Sequence, residues 1–197
     1  MTTLTKTLAC VIALMLLTAC GSSPRNEYYR LTATPGQEPQ GESPSLGIGP
    51  ISVPAYLDRE KLVYGKEGNR IQIADTVSWA EPVDAGVERV IAMNLAMQLN
   101  TQNVRTFPWH PKRAPDYGIK VNLLSLDSAD SEATLTAEWL VYRPGGAESV
   151  ERRITRFSKP LGDGQNEPSQ LPGAYSALLL ELSKAIAAAI QADMSAQ

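Results

Sequence analysis

The chain has 197 residues and a mass of 21.3 kDa, room for one domain of ordinary size and too little for two. A hydrophobic fraction of 43% supports a packed core, while 18 Lys+Arg against 21 Asp+Glu leave a net charge of −3 and no basic excess for general nucleic-acid binding. One His and two Cys argue against most zinc sites and any disulfide framework, so neither a metal nor a cofactor is expected.

Met1–Thr7 is polar with a single cation, Lys6, and Leu8–Leu17 (LACVIALMLL) is an unbroken apolar run. A stable membrane-spanning helix needs about 20 residues, so this run fits the hydrophobic region of a secretory signal instead. Leu17-Thr18-Ala19-Cys20 follows and resembles the bacterial lipobox. In lipobox proteins the Cys thiol receives diacylglycerol, the chain is cut before it, and the new amine is acylated. The expected organisation is a signal peptide over 1–19, a lipidated tether over 20–27 starting at Cys20, and a domain over 28–197. The plainer alternative is an ordinary secretory signal cut near Ala19, with Cys20 incidental. Gly21, where an inner-membrane lipoprotein would carry Asp, favours the outer membrane by analogy with lipoprotein sorting. Loss of residues 1–19 removes only Lys6 and leaves 17 basic against 21 acidic side chains, a net of −4. Gly21–Glu27 reaches at most roughly 23 Å, which would hold the domain close to the lipid.

Tyr28–Leu31 reads as a short strand, and 33–45, with three Pro and two Gly, as a loop. Leu46–Val53 alternates with an offset at Gly49-Pro50, which predicts an interrupted strand. Gly47-Ile48-Gly49 lacks the third Gly and the helix start of a phosphate loop. Pro54–Glu60 is a turn. Leu62–Tyr64 and Arg70–Ile73 flank a Gly-rich stretch and predict a hairpin. Val83–Leu99 is a helix, with Pro82 before it, Asp84 in its first turn, and Val83, Val87, Val90, Ile91, Leu95 and Leu99 on one face.

Val104–Phe107 is a short strand candidate. Tyr117, Ile119, Val121 and Leu123 alternate, and Leu124 and Leu126 shift the phase. With Thr134–Tyr142 and Val150–Phe157 this segment forms a predicted antiparallel meander. Residues 159–172 read as a loop. The last helix covers about 174–192, with Tyr175, Leu178, Leu179, Leu182, Ile186, Ala189 and Ile190 in one stripe. Glu181 and Lys184 interrupt it, so its apolar face is assigned to the core rather than to a membrane. The expected fold is a single α/β (α+β) domain, a mixed or largely antiparallel sheet carrying two main helices, about 83–99 and 174–192.

No catalytic residue is expected. His110 lies in Phe107-Pro108-Trp109-His110-Pro111, with no Cys partner and no G-x-S-x-G elbow. A hydrolase reading would rest on His110 with Asp116. Asp127, Asp130 and Glu132 miss the EF-hand spacing. Asp58, Arg59, Glu60 and Lys61 read as a wet turn. Arg152, Arg153 and Arg156 near Lys159 either face anionic headgroups or cover a sheet face with their stems.

Several segments in order resemble the ABC-type transport auxiliary lipoprotein family, the PqiC/YmbA-like lipoproteins. They are the lipobox Cys20, Tyr28-Tyr29-Arg30-Leu31, Val53-Pro54-Ala55-Tyr56-Leu57-Asp58-Arg59, Trp79-Ala80-Glu81-Pro82, Leu135-Thr136-Ala137-Glu138-Trp139 and the Tyr175–Ile190 helix. The chain departs at Ser78, where the family pattern has Arg before the Trp. Pro54, Tyr56, Leu57, Arg59, Trp79, Glu81 and Pro82 are expected to form a structural or partner-interface motif. Pro54 would end a strand, Tyr56 and Leu57 plug the sheet edge, Arg59 pair with Glu81 or cap carbonyls, Trp79 cover the sheet end, and Pro82 start the helix.

The resemblance implies a non-catalytic lipoprotein on the inner leaflet of the outer membrane. It would dock an MCE-domain periplasmic or inner-membrane protein of a phospholipid transport system, as a homo-oligomer and without nucleic acid. The alternative is a periplasmic lipid carrier with its own apolar cavity. The wet faces of Thr134–Tyr142 and Val150–Phe157 speak against that.

Overall fold

The computed structural model describes residues 25–65, 69–129, 131–146, 149–162 and 168–196. The expected signal peptide, the lipidation site Cys20 and the start of the tether lie outside the described residues.

Among the described residues, eight strands and two long helices follow one another: β1 (Glu27–Tyr29), β2 (Leu46–Ser52), β3 (Lys61–Gly65), β4 (Ile71–Trp79), α1 (Val83–Gln98), β5 (Val104–Thr106), β6 (Tyr117–Ala129), β7 (Glu132–Tyr142), β8 (Ser149–Pro160) and α2 (Leu171–Ser195). They form a single mixed α/β domain whose strands divide between two sheets. The larger has the order β5-β2-β6-β7-β8 and the smaller the order β1-β4-β3. Strands β5, β2 and β6 run parallel, and β6, β7 and β8 form the antiparallel meander. In the small sheet β3 and β4 form the hairpin, and β1 lies parallel to β4 with Glu27 opposite Val77 and Tyr29 opposite Trp79.

Period-two patterning explains the large sheet. Along β7, Ala133, Leu135, Ala137, Trp139 and Val141 are buried, and the residues between them are half-buried. The phase shift in β6 is a bulge, because its register with β7 slips between Leu123 and Ser125. Leu126 thereby returns to the buried face, while Leu124 stays 41% exposed. A second irregularity in β2, between Ile48 and Ile51, places Gly49 at φ +108°, a conformation that glycine adopts readily and other residues resist.

Both helices cover one face of this sheet. Helix α1 packs on β2 and β5 through Val83, Val87, Val90, Ile91 and Leu95, and α2 packs on β7, β8 and α1. Asn94, fully buried on α1, accepts a hydrogen bond from the Thr34 amide (3.3 Å) and donates to Ser183 of α2 (3.4 Å). The opposite face of the meander presents Lys120, Asn122, Arg152 and the 69% exposed Ile154.

Several predicted boundaries move. Strand β1 stops at Tyr29, and Leu31 is instead a buried core residue. Strand β4 continues past Ile73 to Trp79, and β8 continues to Pro160. The expected loop 159–172 contains a 3₁₀ turn at Pro168–Gln170 and the first turn of α2. Pro172 is no loop marker there, because a proline in the first helical turn lacks only an N–H that has no intrahelical partner anyway. Helix α2 therefore has 25 residues and is long and apolar enough to cross a membrane by length and composition alone. Its stripe of Tyr175, Leu178, Leu179, Leu182, Ile186 and Ile190 is buried against the sheet, so this apolar content forms core.

Candidate functional site

The two halves of the predicted motif meet at the end of the small sheet. Trp79 is the last residue of β4, next to Tyr29 of β1. Its amide donates to the Glu60 carbonyl (2.7 Å), and the Ala80 amide donates to the Tyr29 carbonyl (2.7 Å). These bonds stitch the Pro54–Glu60 turn, β1 and the entrance of α1 together. The turn is closed by Leu57 N–H to the Pro54 carbonyl (2.9 Å) and Arg59 N–H to the Leu57 carbonyl (2.8 Å). Between these segments lies a pocket of about 390 Å³ lined by Tyr28, Asp58, Arg59, Glu60, Trp79, Ala80, Glu81 and Pro82.

Arg59, Trp79, Glu81 and Pro82 thus come together, while Pro54, Tyr56 and Leu57 do not line the pocket. Leu57 is buried and Tyr56 half-buried beneath the turn. Burial pushes the Tyr56 hydroxyl above its ordinary range, partly offset by a hydrogen bond from the Leu126 backbone. Pro82 is the N-cap of α1 without a side-chain cap bond, and the Gly86 amide donates to its carbonyl (3.0 Å).

The expected Arg59–Glu81 pair is not formed. Glu81 is held by Arg89 of α1, whose Nη2 also donates to the Leu31 carbonyl (2.8 Å). Gly86 makes this possible. A Cβ there would lie 3.2 Å from Glu81 Oε1, so the bare backbone leaves room for the carboxylate to fold back over the first turn. Arg59 is exposed at the pocket rim and, among the described residues, its guanidinium makes no hydrogen bond or ion pair. Ser78, where the resemblance led to the expectation of an Arg, is fully buried, and its Oγ has no hydrogen-bond partner among the described residues.

Sequence reasoning missed Arg89 and Gly86, because no spacing rule pairs residues across a helix start. It read Asp58 and Glu60 only as a wet turn. The hydrolase pair is not assembled. His110 Nδ1 accepts from the Lys112 amide (3.1 Å), and Asp116 accepts from the Ser45 amide (2.8 Å) and hydroxyl (2.7 Å). Those two bonds hold Asp116 below the usual carboxylate range. No three His, Cys, Asp or Glu side chains cluster as metal ligands among the described residues.

The family model described as "ABC-type transport auxiliary lipoprotein component" matches residues 29–187. The chain belongs to this family. Among curated relatives of this auxiliary lipoprotein is the intermembrane transport lipoprotein PqiC of Escherichia coli, 26% identical over 172 residues, which cover 84% of this chain and 89% of the relative. Two crystal structures share its fold. One, of an uncharacterized protein, has a TM-score of 0.69 at 20% identity and covers 85% of this chain and 99% of that one. The other, from Xanthomonas campestris, has a TM-score of 0.66 at 14% identity and covers 86% and 99%. The family match spans both motif segments of the pocket. The family description is that of a transport component, with no enzyme class attached.

Proposed function

We propose that this auxiliary lipoprotein is acylated at Cys20, sits on the periplasmic face of the outer membrane, and docks an MCE-domain protein of an intermembrane phospholipid transport system without catalysis. One observation carries the reading. Asp58 and Arg59, the end of the P-x-Y-L-D-R segment, and the W-A-E-P segment converge on a single pocket beside β1, the strand that the tether leads into. An exposed Tyr28 and an Arg59 that makes no ion pair among the described residues offer an aromatic surface and a guanidinium at that rim, two groups enriched where proteins meet. The naming of a relative as an intermembrane transport lipoprotein supports the same role. Confinement to a thin layer by a short tether raises the effective concentration of the pocket at the membrane, and assembly of several copies would multiply it.

The test is a photo-crosslinking amino acid at Tyr28 in cells. Capture of an MCE-domain protein is expected, reduced by Arg59→Glu. A folded, membrane-bound protein that captures no such partner would sink the docking role. Replacing Cys20 by Ala is expected to release folded protein into the soluble periplasm. The carrier alternative needs an apolar cavity for acyl chains, whereas this pocket sets Asp58, Arg59, Glu60 and Glu81 among Tyr28, Trp79, Ala80 and Pro82. Stoichiometric phospholipid extracted from purified protein would restore it.

A further inference from the structure

The segment around the β5–β6 connection carries a local excess of positive charge. From Arg105 to Pro115 it carries three cations, Arg105, Lys112 and Arg113, and no acid, in a chain of net charge −3. Phe107 is 49% exposed, and its ring meets Trp109 edge-on with centroids 5.5 Å apart. Trp109 is half-buried and lies on β2. A Cβ on Gly47 would come within 2.7 Å of its ring and 2.6 Å of Pro115, so the bare glycine lets the loop lie flat on the strand.

Hydrogen bonds brace the loop. The Phe107 amide donates to the Ile48 carbonyl (2.8 Å), Arg113 N–H to the His110 carbonyl (2.8 Å), and Arg105 Nη1 to the Arg113 carbonyl (2.7 Å). The side chains of Lys112 and Arg113 are exposed and form no ion pair among the described residues. Two acids lie nearby, Asp116, whose carboxylate accepts from Ser45 and keeps its charge, and the half-buried Glu88 near Gly49, and the three cations of the loop outnumber them.

We propose that this loop is a second membrane contact, which seats Phe107 and Trp109 at headgroup level on an anionic bilayer with Lys112 and Arg113 against lipid phosphates. Aromatic rings beside unpaired cations are the chemistry of membrane–water interfaces, and the sign of the patch complements an anionic surface. A stable protein interface buries on the order of 800 Å² on each partner, more than two rings and two cations on a short loop present. Phe107 also lies close to α1. A Cβ on Gly49 would lie 3.0 Å from Phe107 Cβ and 3.3 Å from Glu88 Oε2, and Glu88 belongs to the helix that starts beside Tyr28. The placement near lipid rests on the proposed Cys20 anchor, and the loop chemistry does not.

The test removes that dependence. The chain from Cys20 onward contains every core residue buried among the described residues, Leu31 to Ile190, and Cys20 as its only cysteine. Its thiol can be coupled to a maleimide lipid in vesicles of phosphatidylcholine with or without phosphatidylglycerol, carrying brominated acyl chains. Trp79 and Trp139 are buried, so Trp109 is the quenchable indole. Expected is bromine quenching that needs phosphatidylglycerol, disappears in Trp109→Phe, and falls in Lys112→Glu/Arg113→Glu as binding weakens by about fivefold or more per cation. Absence of quenching, or quenching indifferent to both lipid charge and the charge reversal, would overturn the proposal and assign the patch to a protein or a second copy. Mass spectrometry of the cellular protein reads Cys20 acylation separately.

Discussion

Arg89 and Glu81 form a clamp across the entrance of α1, with Arg89 donating both to the carboxylate and to the Leu31 carbonyl. One guanidinium therefore ties the helix start, the pocket lining and the segment after β1. Replacing Arg89 by Ala is expected to lower stability by about 1 kcal/mol, the upper end for half-exposed pairs. Lys184→Ala, at the exposed i,i+3 pair with Glu181, is expected to cost no more than about 0.5 kcal/mol. Urea unfolding of both variants decides the point, and equal losses would reduce the clamp to an ordinary solvent pair.

Gly118 lies under Tyr142 on the neighbouring strand, and a Cβ there would come within 2.4 Å of the ring. Gly118→Ala should destabilise by about 1–3 kcal/mol, the usual cost of overpacking. Removing the ring with Tyr142→Ser should recover much of that loss in the double variant. Additive losses in a double-mutant cycle would show that the contact is not the cause.

Leu182 of α2 is fully buried, whereas Ile154 of β8 is 69% exposed. Leu182→Ala is expected to cost about 2–5 kcal/mol, and Ile154→Ala less than about 0.5 kcal/mol. A large, concentration-dependent loss in Ile154→Ala would instead mean that another copy covers the outer face of the meander.

The C-terminal end of α2 is fastened by Asp193, which accepts from Tyr117 Oη (2.7 Å) and from Arg143 Nε (3.1 Å) and Nη2. The Arg143 bonds first, then Tyr117, hold its carboxyl below the ordinary value, and Ser45 does the same for Asp116. A depressed carboxylate pKa adds stability above its unfolded value, near 3.9, and loses it as pH falls through the folded value. Thermal unfolding should therefore become easier below about pH 4. Asp193→Asn should lower the Tm at neutral pH and flatten this acid limb, and an unchanged limb would exclude Asp193 as a contributor.

Much of the fold was legible along the chain. The alternation of Tyr117–Leu123 and Thr134–Tyr142 announced the meander, and the phase break at Leu124 announced its bulge. The apolar stripes of Val83–Leu99 and Tyr175–Ile190 announced the two helices. Each of these signals lies within one element, where neighbouring residues share the periodicity that burial imposes. Gly49-Pro50 likewise marked its irregularity locally, since few other residues accept that backbone.

What neighbouring residues could not encode was which distant segments meet. Strand β1 joins β4 rather than the large sheet, Glu81 chooses Arg89 over Arg59, and Trp109 comes to rest on Gly47. Such choices depend on shape and on space left by Gly86 and Gly47, which exist only once the helices have packed on the sheet. Periodicity is a one-dimensional record of burial, whereas partner choice follows from three-dimensional steric competition among groups far apart in the chain.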